Sequence, residues 1–160
     1  MLAGNRLERW TKKIYGDSDA GQALVELSLT LPLMVLLLIG AAELTRVAYA
    51  AIEVSNAARA GAQYGAQSSY FKDDSGGISN AAAADAGDLT GLTTTPSLSY
   101  ICSDGGTPVG APLACTGSGA QVETILTVVT QVSIDPLIHL PGLGTTFTLT
   151  GRAQQKVLIQ

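Results

Sequence analysis

The chain has 160 residues, 46% of them hydrophobic and only 5% aromatic, with a formal net charge of -4 at pH 7. That size and that scarcity of large rings suit one modest folded domain plus a hydrophobic segment, not two full cores. Nine Lys and Arg against thirteen acids exclude the usual nucleic-acid binder, which neutralises phosphates with clustered cations.

Four of those cations, Arg6, Arg9, Lys12 and Lys13, crowd into the first fifteen residues beside a single acid, Glu8. An uncharged apolar run follows from Leu27 to Ala42, bracketed by Glu26 and Glu43. Basic residues just before an apolar span stay in the cytoplasm, so the expected orientation is N-terminus in and C-terminus out. The run alone makes about sixteen residues, roughly 24 Å of helix, which is short for a hydrocarbon core of about 30 Å. Adding Gln22 to Val25 brings it to spanning length and puts Glu26 near the cytoplasmic edge. At mid-bilayer that carboxylate would cost on the order of 2.5 to 3.5 kcal/mol.

Two rivals for the run are a signal peptide and a core helix. Ala48-Tyr49-Ala50 offers a small-x-small cleavage site that would leave Ala51 first. The charged Glu43 and Arg46 intervene, however, and the peptide would be about fifty residues against the usual 15 to 30. A buried core helix would need more large apolar residues around it than the rest of the chain supplies. Pro32 lies inside the run, where it removes one backbone donor and bends or loosens the helix.

Beyond Ala42 the helical period continues through Leu44, Val47, Ala51, Val54, Ala58 and Ala62. Glu43 and Arg46 stand at i and i+3, a modest surface pairing. One helix is expected from about Ala20 to about Gln67. Its second half carries two ladders of small residues, Ala57, Gly61 and Gly65 on one and Ala58, Ala62 and Ala66 on the other. Such ladders admit another backbone closely. The backbone can belong to the domain's own sheet or to a helix of another subunit.

From Ser68 to Gly91 a Ser, Gly, Asp and Ala composition reads as a surface loop, with a short helix near Ser79 to Ala86. Asp73, Asp74, Asp85, Asp88 and Asp104 lack the spacing of a calcium loop and read as solvated loop acids. Strands are expected over Ser97–Cys102 and Gln121–Ile134. A further long strand or hairpin is expected over Thr145–Thr150 and Ala153–Ile159, with Gly151 as a bulge or bend. Between the last two, Pro136 to Leu143 is apolar but broken by Pro and Gly. It suits either a contact surface or a loop tucked over the core. The cysteines Cys102 and Cys115 lie on the far side of the span, where an oxidising compartment lets them pair; two free buried thiols is the alternative.

Catalysis finds little support. His139, the one histidine, sits between Ile138 and Leu140 with no second metal-type ligand at useful spacing, and no nucleophile motif, zinc pattern or phosphate-cradling loop is present. No metal or cofactor is expected.

Gly21, the Val25-Glu26 pair, Leu31-Pro32, the apolar run, Ala42-Glu43 and Ala57-Ala58-Arg59-Ala60-Gly61-Ala62 together resemble the TadE-like pseudopilins of tight-adherence (Flp) pilus systems. The match covers roughly residues 21 to 66, and Leu27 stands where members often carry an aromatic. The resemblance implies that a prepilin peptidase cuts between Gly21 and Gln22 on the cytoplasmic side. After such a cut the Glu26 carboxylate can pair with the new amine of Gln22, in its own or a neighbouring subunit; the alternative is a glutamate that simply snorkels to the membrane interface. The expected organisation is a basic cytoplasmic leader over 1–21, a membrane half of the helix over 22–42, its exported half over 43–67 and a small β-sheet domain over 68–160. The expected fold class is therefore α+β and pilin-like, a long transmembrane-to-periplasmic helix packed on a small antiparallel sheet. The implied partners are the prepilin peptidase, other pilins or pseudopilins, the pilus assembly platform and the inner membrane, with no nucleic acid. An uncleaved, membrane-anchored domain that binds a partner through the loop around His139 is the alternative.

Overall fold

The computed structural model describes residues 18–110, 113–137 and 146–157. The basic leader through residue 17, His139 with most of its loop, and the end of the last expected strand lie outside them. Helix α1 spans Ser18–Ala66 with Pro32 inside it, a 3-10 turn Phe71–Asp73, and helix α2 Ser75–Asp85. The strands are β1 (Thr93–Cys102), β2 (Val122–Ile134) and β3 (Phe147–Lys156), forming an antiparallel sheet in the order β1-β2-β3. This is an α+β fold. The chain divides into two compact units, with the boundary between Leu44 and Thr45.

In the first unit every residue from Gly21 to Ala42 is exposed. The exposure runs round the whole helix, with Leu29 at 73% and Leu36 at 67%. A helix apolar on all sides calls for burial away from water, and this one is long and apolar enough to cross a membrane, with a mean hydropathy of 2.2 over 18 residues. Twelve large apolar side chains between Leu24 and Ile39 are open. At about 1.5 to 3 kcal/mol for each full burial, covering them is worth on the order of 20 kcal/mol, so water is the wrong solvent for this segment.

The second unit has one layer of helix on one layer of sheet. On β2 the even positions from Thr124 to Ile134 (Thr124, Leu126, Val128, Thr130, Val132 and Ile134) are buried, while the odd positions lie on the opposite face, where Thr127 alone is also buried. Three small clusters make the core. Ala62 and Ile78 meet Leu126, Val128 and Val157; Ala50 and Val54 meet Val132 and Ile134; Ala57 meets Ala82 and Ala86. With so many alanines the layers must approach closely to gain contact.

Glycines set that approach. A Cβ on Gly65 would come 2.4 Å from Leu126 Cδ2, and one on Gly61 would come 3.1 Å from the Ile78 carbonyl oxygen. A Cβ on Gly151 of β3 would lie 2.3 Å from the carbonyl oxygen of Val54. Directly across the ladder from Gly151 is Thr130, whose hydroxyl donates to that same carbonyl at 2.7 Å. Gly151 is therefore neither a bulge nor a bend. It pairs in regular register and is small because the helix backbone passes over it.

Three other boundaries differ from expectation. Strand β1 begins at Thr93, four residues earlier than expected, and runs through Pro96. The ladder explains why. Ser103 N–H bonds the Gln121 carbonyl, and bonded pairs alternate along an antiparallel ladder, so Pro96 falls on a position that faces away from β2 and loses no ladder bond. Helix α2 starts at Ser75, not near Ser79, because the Asp74 carboxylate accepts from Gly77 N–H at 2.8 Å and caps it. Strand β3 is one continuous segment, beginning at Phe147 and ending at Lys156.

Candidate assembly surfaces

Gly21, Gln22, Glu26 and Pro32 all lie on α1 within its exposed stretch. Gly21 falls in the first turn of the helix and has open space around it, with nothing within 4 Å of a Cβ built there. Helical glycine costs about 1 kcal/mol against alanine, and first-turn N–H groups have no intrahelical acceptor, so this turn opens easily. Around Pro32 the hydroxyls of the preceding turns are satisfied within the helix. Ser28 Oγ donates to the Val25 carbonyl and Thr30 Oγ1 to the Glu26 carbonyl, each at 2.8 Å. Polar side chains that bond back to their own backbone are tolerated in an apolar medium, as is a proline among them.

The small-residue ladders have a different environment. Ala57, Gly61 and Gly65 are buried, as are Ala58, Ala62 and Ala66, and the atoms met at Gly61 and Gly65 belong to Ile78, Leu126 and Val128 of the same chain. The close approach is thus to α2 and to the sheet. The exposed residues of α1 beyond the apolar run are Leu44, Thr45, Ala48, Tyr49, Ile52, Arg59 and Gln63.

Cys102 and Cys115 form a disulfide across 13 residues, closing the connection between β1 and β2. Inside that loop Val109 and Ala114 form an isolated antiparallel bridge, and Asp104 accepts from Gly106 N–H. Loop closure of this size stabilises the fold by roughly 3 kcal/mol in the chain-entropy picture.

Two arrangements were not legible in the residue pattern. Asp74, grouped with the solvated acids, caps α2 and also accepts from the Tyr64 hydroxyl at 2.9 Å. The Gly77 N–H and then Tyr64 hold its carboxyl below the usual aspartate value, and Asp74 in turn raises the Tyr64 phenol. Its spacing to Gly77 was a capping signal hidden by the glycines that follow. The second arrangement is a cleft of about 450 Å³ lined in part by Arg46, Tyr49, Asp88, Ser133 and Asp135. Arg46 donates to the Asp135 carbonyl, and Asp88 followed by Glu53 raises the Tyr49 phenol, which stays a protonated donor instead of a base. Among the described residues no three metal-ligating side chains gather.

Residues 21–63 match the family model described as TadE-like protein. This part of the chain is similar to that family. No curated protein and no solved structure matches the chain. The TadE-like segment takes in the exposed apolar helix and most of the packed half of α1, and ends just short of Gly65.

Proposed function

We propose that the chain is a minor pseudopilin, a structural subunit of a tight-adherence (Flp) pilus system, without catalytic activity of its own. The observation that carries this reading is that one TadE-like stretch, residues 21–63, joins a helix apolar on every side to a helix that serves as the spine of a small sheet domain. The first part is stored in the inner membrane with its basic leader in the cytoplasm. A prepilin peptidase cuts after Gly21, and the subunit then exchanges lipid for the helices of neighbouring subunits and the assembly platform.

Glu26 has a defined task in that exchange. Cleavage gives Gln22 a cationic amine, and the Glu26 carboxylate lies four residues further on, roughly 6 Å along the axis. In a low-dielectric setting each charge is costly alone, and pairing them, within or between subunits, offsets that cost and fixes the axial stagger.

Mass spectrometry of the native protein tests the reading, with Gln22 expected as the mature first residue. Gly21→Ala should leave the full-length form, and Glu26→Ala should still be cut but give less fibre. A mature protein that retains Met1 would support the uncleaved anchor instead, and one that begins at Ala51 would mean ordinary secretion.

A further inference from the structure

The two edges of the sheet are not equivalent. At β1 the outward positions are Thr94, Pro96, Leu98, Tyr100 and Cys102, so the middle of that edge lacks a donor at Pro96, and Cys102 N–H is already taken by the Gly106 carbonyl. At β3 the Val157 N–H bonds the Thr124 carbonyl. Bonded pairs therefore recur at Gln155, Ala153, Gly151, Leu149 and Phe147. The residues between them, Thr148, Thr150, Arg152, Gln154 and Lys156, turn their backbone N–H and C=O groups away from β2. No proline and no bulge interrupts these five positions, and no described strand pairs with them.

From this geometry we infer that the β3 edge receives an extended acidic strand from a different polypeptide. Backbone pairing supplies the affinity in such strand addition, and side chains flanking the edge supply the choice. The same outward residues carry their side chains on the sheet's outer face, where Arg152 and Lys156 stand four residues apart, about 13 Å along the strand. Glu123 reaches Lys156 at 2.7 Å from within the sheet, while the rest of this edge is Thr and Gln. A partner with acidic side chains at matching positions gains a cross-strand pair with Arg152 and shares Lys156 with Glu123. A second copy of β3 gains none and, in registers that bring Arg152 opposite Arg152 or Lys156, meets like charge. Basic residues on an edge discourage self-pairing and leave the edge open to a strand of opposite sign.

The inference stands on the ladder register and is independent of peptidase processing. The test uses the full chain in lipid nanodiscs with a ten-residue Thr/Val peptide carrying Glu at two positions four apart, and the same peptide with Lys at those positions. Amide exchange is read at the five outward residues. With the Glu peptide at about ten times its Kd, exchange there should slow by about tenfold, with the amides that already bond β2 unchanged. The Lys peptide should have no effect. Thr150→Pro, which copies on β3 the solution found at Pro96, should abolish the protection. Arg152→Glu should remove most of the protection given by the Glu peptide and checks the idea without altering the backbone. Equal protection by both peptides, protection by neither, or protection that appears with protein concentration alone would each overturn the inference, the last in favour of self-pairing.

Discussion

Gly151→Val separates two readings of one glycine. If Gly151 were merely a weak point in a strand, valine should stabilise the sheet by up to about 1 kcal/mol, because β-branched residues suit strands. The packing of α1 gives the opposite sign. A Cβ there meets the Val54 carbonyl oxygen at 2.3 Å, the Thr130 hydroxyl at 2.7 Å and the Val54 carbonyl carbon at 2.7 Å, and two of those three atoms are backbone that no rotamer change can move. Overpacking of this kind costs about 1 to 3 kcal/mol. Lifting the helix also strains the Thr130 to Val54 hydrogen bond, worth about 0.5 to 1.5 kcal/mol net. The expected loss is therefore about 2 to 4 kcal/mol, or a melting point lowered by roughly 10 °C in a unit of this size. The assay is thermal unfolding of the full chain in detergent, followed by the near-UV circular dichroism of the tyrosines in the folded unit. Gly76→Ala is the control, since its Cβ would lie an ordinary 3.6 Å from Asp74 Oδ1. A Gly151→Val protein that melts at or above the wild-type temperature would refute the close-approach argument.

Two further predictions follow from the same unit. Asp74 is held below its ordinary value of 3.8 by Gly77 N–H and Tyr64, so its capping contribution is complete above that pH and is lost as pH falls through the lower folded value. Wild type should therefore be more stable than Asp74→Asn near neutrality, and acid melts should show the difference closing below pH 3.8; a gap that persists in acid would exclude ionisation as its source. Reducing the Cys102–Cys115 disulfide should cost roughly 3 kcal/mol, read as an earlier urea midpoint, and equal midpoints with and without reductant would count against that figure.

Some of this architecture was legible residue by residue. The apolar run with its flanking Glu26 and Glu43 marked a membrane-compatible helix because sixteen uncharged residues with no polar face have few alternatives to lipid. The i+4 spacing of Val54, Ala58 and Ala62 carried the helix onward to Ala66. Alternation from Val122 to Ile134 marked β2, because its burial on one face alone imposes a period of two.

What the tertiary structure decided are the matters that depend on two segments at once. The sequence shows Gly61, Gly65 and Gly151 only as small residues, and which backbone each admits is settled by where the helix lands on the sheet. Pro96 looks like the end of a strand until the ladder turns its missing donor outward, and Asp74 looks like a loop acid until Tyr64 and Gly77 N–H converge on it. Periodicity records which side of an element is apolar; only the folded chain says what is pressed against it and at what distance.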